Sequence, residues 1–156
     1  MRRLAIAVAA LFVMPAQAGD LRLWTVQGTD IGTEKVCDAF ARGASKRPPY
    51  EFRFRRSADN ILLIVAYDGP RIAAEEGDAD ILLDKEHIVL PAVATSFDHR
   101  NAFAISISPR GFDFHQFDRT MPFSVTFGGS QFDLAFYADD QVGRAMDACM
   151  DALKIQ

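Results

Sequence analysis

The stretch Asn101-Ala102-Phe103-Ala104-Ile105-Ser106-Ile107, with Phe123-Ser124-Val125-Thr126-Phe127 and Phe132-Asp133-Leu134-Ala135-Phe136 after it, decides the fold class. In each run apolar and polar or small residues alternate with a period of two. That pattern puts alternate side chains on opposite faces of a strand and buries one face. The phenylalanines share one parity in each run, so they are expected to face a core. Pro109-Arg110-Gly111 and Gly128-Gly129 supply turns, and Phe112 to Phe117 is expected to return as a further strand. Asp139-Asp140 then offers an N-cap and acidic first turn for a helix. Val142, Ala145, Met146, Cys149 and Leu153 fall on one stripe of that helix, so Cys149 is expected to face inward.

Upstream of this region, Asn60 to Tyr67 is a continuous apolar run of strand length, as in a strand buried on both faces. Tyr50, Phe52 and Phe54 alternate with Glu51, Arg53 and Arg55. Leu21 to Gln27, with Trp24 as the single tryptophan, reads as a first strand ended by Gly28 and the turn-rich Thr29-Asp30-Ile31-Gly32. Glu34 to Arg42 suits either a short helix capped by Thr33 or a strand. Asp78 to Asp84 and His87 to Leu90 read as two short strands around Lys85-Glu86, and Pro91 to Arg100 as a loop. The fold class is therefore mainly β, with antiparallel strands and a C-terminal α-helix.

The N-terminus sets the compartment. Arg2-Arg3, the apolar run Leu4 to Met14 and the close Ala16-Gln17-Ala18 have the three parts of a secretory signal peptide. Residues 1–18 are expected to be removed and residues 19–156 to form a single β-rich domain, periplasmic or secreted. The apolar run is too short to span a bilayer, and none like it follows. Of 17 basic residues, 15 remain without Arg2 and Arg3, against 21 acidic ones, a formal −6. Such a surface does not favour nucleic acid or anionic lipid. Cys37 and Cys149 are the two cysteines, and in an oxidising compartment a disulfide between them is expected. Neither stands in a C-x-x-C pair.

Taken together, several of these features resemble the invasion-associated locus B family of small exported bacterial proteins. Trp24-Thr25-Val26 ahead of the Cys37 segment is similar to that family's early Trp-x-Val and cysteine region. Gly128-Gly129-Ser130-Gln131-Phe132-Asp133-Leu134-Ala135, running into a helix with Ala145, Ala148 and Leu153, is similar to its closing turn, β segment and helix. Where the family often carries a cysteine just after the tryptophan strand, this chain has Gly28. The resemblance implies a strand for Glu34 to Arg42, an antiparallel β-sandwich-like domain with the C-terminal α-helix, and a non-enzymatic envelope protein loosely linked to host-cell association. It transfers no catalytic residue.

The motifs of hydrolases, zinc proteases and nucleotide-binding loops are missing, so no catalytic residue and no cofactor is expected. Arg53, Arg55 and Arg56, with Lys46 and Arg47, make a local basic spot: a solvated strand face, or a docking point for an anion or partner. The run Glu75, Glu76, Asp78, Asp80 lacks the order of a calcium loop and reads as an exposed connection. No metal site is expected. If one exists, His99, Asp113 and His115 would supply two imidazoles and a carboxylate. Two functions follow. In the first, a β-sandwich docks an unidentified envelope or host protein, and its interior is filled. In the second, the domain binds a small molecule or metal, and its phenylalanine-rich strands enclose an open apolar cavity among Phe103, Phe112, Phe114, Phe123 and Phe127.

Overall fold

The structure, a computed structural model, describes residues 23–42, 50–83, 85–110, 112–115, 122–135 and 142–155. Residues 1–22, Lys46, Arg47, Gln116-Phe117, Phe136 and Asp139-Asp140 lie outside the described residues. Among those described, the strands are β1 (Leu23–Ile31), β2 (Glu34–Arg42), β3 (Tyr50–Arg56), β4 (Ile61–Tyr67), β5 (Glu76–Leu83), β6 (Glu86–Phe97), β7 (Arg100–Ile107), β8 (Pro122–Phe127) and β9 (Ser130–Ala135). Helix α1 (Val142–Leu153) closes the chain. All pairings are antiparallel, in one sheet of order β1-β2-β3-β4-β7-β6-β5-β8-β9. The mainly β class with a C-terminal helix therefore stands.

The sheet is rolled rather than flat, which makes it sandwich-like. From β4 to β9 there are five inter-strand steps, about 24 Å if laid flat. Yet the rings of Tyr67 on β4 and Phe132 on β9 are 5.2 Å apart, and those of Phe52 on β3 and Phe123 on β8 are 5.4 Å apart. The Tyr50 hydroxyl on β3 donates to the carbonyl of Asp133 on edge strand β9. The inner parity positions of the strands meet inside this roll. Phe52, Phe54, Phe103, Phe123, Phe127 and Phe132 all belong to one buried cluster, as their shared parity predicts.

Helix α1 lies on β1 and β2. Val142 and Met146 are buried on its apolar stripe, and Cys149 is bonded to Cys37 of β2, 112 residues away. Gly28 is the contact that admits the helix: a Cβ there would meet Leu153 Cδ1 at 3.0 Å and Cys149 Sγ at 3.6 Å. Lys154, at φ 56°, ends the helix by donating to the Asp151 carbonyl, while Ile155 donates to that of Met150. These two bonds form a Schellman cap, and they turn Ile155 back into the core.

Three expectations need correction. Strand β1 runs through Gly28 to Ile31, and the turn falls at Gly32, whose φ is +62°. Phe112 and Asp113 have no regular structure and Phe114-His115 form a short 3₁₀ turn, so Phe112 to His115 is not strand. The expected loop from Pro91 to Arg100 is mostly strand. β6 continues through Pro91 to Phe97, and Asp98-His99, both at positive φ, make the hairpin turn into β7. Proline lacks an N–H, and the β6–β7 ladder begins only at its neighbour, with Ala92 opposite Ile105.

Candidate functional site

That break in the ladder opens the sheet. From Ala92 towards Phe97, β6 is paired with β7; from Pro91 back to Glu86 it is paired with β5 alone. Strand β7 meanwhile stays with β4 as far as Ile107 opposite Ile61. Between the two diverging strands lies an apolar cavity of about 190 Å³. Its walls are Ile81, Leu83, Ile88 and Leu90 from the β5–β6 hairpin, Phe54 and Leu63 from β3 and β4, Ile107, Phe112 and Phe123. Glu86 is its single ionisable lining residue. Glu86 pairs in register with Leu83 beside the hairpin turn and shares the inner parity of Ile88 and Leu90. Its exposure places the carboxylate at the mouth rather than the floor.

The other end of the roll is packed ring to ring among the described residues. Phe103 packs on Phe127 at 4.8 Å and on Phe132 at 5.5 Å, and Tyr67 closes on both Phe103 and Phe132. Of the phenylalanines expected to line a pocket, Phe112 and Phe123 do so. Phe103 and Phe127 are buried filler, and Phe114 packs edge-on against Phe54.

The basic spot is divided between the two faces of the sheet. Arg53 and Arg55 stand on the outer face around Asp38, which is 1% exposed. Asp38 accepts from Arg53 Nη1 at 3.0 Å and from Arg55 Nε and Nη2 at 2.8 and 2.9 Å. Glu51 accepts from Arg53 Nε and Nη2. Two guanidiniums thus face two carboxylates. Arg53 is also sandwiched between the rings of Phe40 and Phe97, at 4.2 and 4.8 Å. Arg56 has the opposite parity, and its Nη1 is buried without a hydrogen-bond partner among the described residues.

His99, Asp113 and His115 are not brought together. His99 lies in the turn at the Arg100 end of β7, whose eight residues span about 25 Å before the chain turns towards Asp113. Asp113 Oδ1 accepts from the His115 backbone N–H at 2.8 Å. The His115 ring lies on Gly143, where a Cβ would come 2.4 Å from Nδ1, and its Nε2 is 3.2 Å from Asp147 Oδ2. His115 therefore docks the first turn of α1. No cluster of three metal-ligating side chains occurs among the described residues. His87, on the outer face, pairs with Asp80 at 3.1 Å.

The cavity walls are visible in the sequence as short strands, but not as a cavity. The available signals are Pro91 inside a strand-like run and a carboxylate at an apolar parity position, Glu86. No family model, no curated protein and no solved structure matches this chain.

Proposed function

We propose that this chain is a non-catalytic, exported binding domain whose ligand is a small apolar molecule held in the cavity between β6 and β7. The observation that carries this is the cavity itself, with nine apolar side chains and one carboxylate around about 190 Å³. An engineered apolar cavity of about 150 Å³ accommodates benzene, so this one has room for a single ring with a short substituent. Export is supported by the signal-like N-terminus and by the Cys37–Cys149 disulfide. No helix among the described residues is long and apolar enough to cross a membrane. The envelope setting implied by the resemblance to the invasion-associated locus B family belongs to the same proposal.

The test is a methyl-resolved NMR titration of the disulfide-bonded protein with benzyl alcohol. Saturable shifts are expected at Ile81, Leu83, Ile88, Leu90 and Ile107, and Leu90→Trp, which fills the space, should abolish them. Absence of saturable shifts in the wild type, or their persistence in Leu90→Trp, would overturn the proposal.

A specific observation favours a second function, docking of an envelope or host protein. Val89 and Val93 stand on the outer face of β6 and are 60% and 54% exposed. For that function, Val89→Glu with Val93→Glu should eliminate crosslinked capture of a single recurrent partner in the native envelope. Benzyl alcohol binding should be unchanged.

A further inference from the structure

We propose that the cavity selects small cationic amphiphiles, a ring or short chain bearing an ammonium group, and that Glu86 receives that group. This rests on the cavity being a binding site and adds the class of its ligand.

Six acidic side chains among the described residues are already held in ion pairs. Asp38 and Glu51 are held by arginines, Asp68 by Arg100, Glu75 by Arg71, and Asp80 and Asp147 by histidines. The Glu86 carboxylate makes no hydrogen bond or ion pair among the described residues. It is also the one charged group on a wall that is otherwise hydrocarbon.

Its position fits an amphiphile. Along the inner row of β6 the order is Glu86, Ile88, Leu90, so the carboxylate stands at the mouth and the apolar side chains follow inward. A ligand seated ring-first against Leu90, Ile107 and Phe112 would carry its head group back to Glu86. The adjacent Lys85 is exposed in the hairpin turn and is not a lining residue. An anionic head would meet Glu86 with like charge. A neutral head would leave the carboxylate to water. An ammonium gives it a charge-assisted hydrogen bond. The formal −4 of the whole chain adds a weak general attraction for cations.

The experiment compares three ring-matched probes on the wild type and on Glu86→Gln by the same methyl shifts: benzylamine, benzyl alcohol and phenylacetate. In the wild type, benzylamine should bind about fivefold more tightly than benzyl alcohol, as fits an ion pair at a solvent-facing rim. Phenylacetate should bind most weakly. In Glu86→Gln the affinities of the three probes should converge. Equal binding of amine and alcohol by the wild type would overturn the role of Glu86 and leave the cavity as a neutral apolar site. A preference surviving in Glu86→Gln would overturn that role as well. Failure of all three probes would overturn the binding site itself.

Discussion

At the Tyr67 end of the rolled sheet, Phe103, Phe127 and Phe132 meet ring to ring; at the Ile107 end, Phe54, Phe112 and Phe123 stand around about 190 Å³ of space. Phenylalanines stand at both ends, so their presence alone does not account for the difference. Backbone pairing does. At the first end β6 and β7 are hydrogen-bonded neighbours, and their inner rows press together. At the second, Pro91 ends the ladder, and the hairpin of β5 and β6 leaves β7. The end of the β6–β7 ladder beside Pro91 thus separates the ring-packed interior from the cavity.

The disulfide and the outer-face ion pairs line neither the ring cluster nor the cavity, and they set the scale against which the two can be compared. Cys149→Ser removes the covalent tie between α1 and β2. The chain-entropy model for so long a loop gives about 4–5 kcal/mol as an upper figure. Urea denaturation should show a loss of that order, and a loss under about 1 kcal/mol would mean that helix packing alone holds the closure.

Phenylalanine truncation distinguishes the ends. Phe103→Ala at the filled end should cost about 3–5 kcal/mol, because it leaves a void among rings that cannot collapse. Phe112→Ala, half-buried beside a space that already exists, should cost about 1 kcal/mol. Equal losses in urea melts would break the contrast.

Removing the Asp38 carboxylate by Asp38→Ala leaves Arg53 buried with one of its two carboxylate partners, and about 3 kcal/mol should be lost. The outer face lies away from the cavity, so benzyl alcohol affinity in the folded variant should be unchanged. A change in that affinity would show that the two faces of the sheet are coupled.

The smallest effect should come from enlarging a side chain that faces the cavity. Ile105→Phe, at the last β6–β7 pair and fully buried, should destabilise by about 1–3 kcal/mol through overpacking. Leu90→Phe, two positions away along β6 but facing the cavity, should change stability by less than about 0.5 kcal/mol. Thermal melts of the pair give the sign of each.

Much of the fold is legible from alternation. The parity of Phe123, Val125 and Phe127 marks the core face, and the stripe ending in Cys149 and Leu153 marks the helix face. Period-two patterning cannot show which neighbours a strand keeps along its length. The β6–β7 divergence, and hence the cavity, is therefore hidden although Ile88 and Leu90 read as strand. Pro91 reads as the start of a loop, because a proline usually interrupts a strand. Here it falls where the neighbouring strand has already left. The neutralised state of Arg53 and Arg55 depends on the register that sets Asp38 opposite Arg55, and no single strand reveals that pairing. His99 and His115 match as metal ligands only by residue type; the length of β7 between them keeps the two rings apart.

The central claim is that one end of a continuous aromatic interior is hollow, and xenon tests it most directly. In a crystal pressurised with xenon, a peak is expected between Leu90, Ile107 and Phe112, and none among Phe103, Phe127 and Phe132. A cavity closed over by Ile88 and Phe112 with no xenon inside, or xenon at the Phe103 end instead, would contradict it.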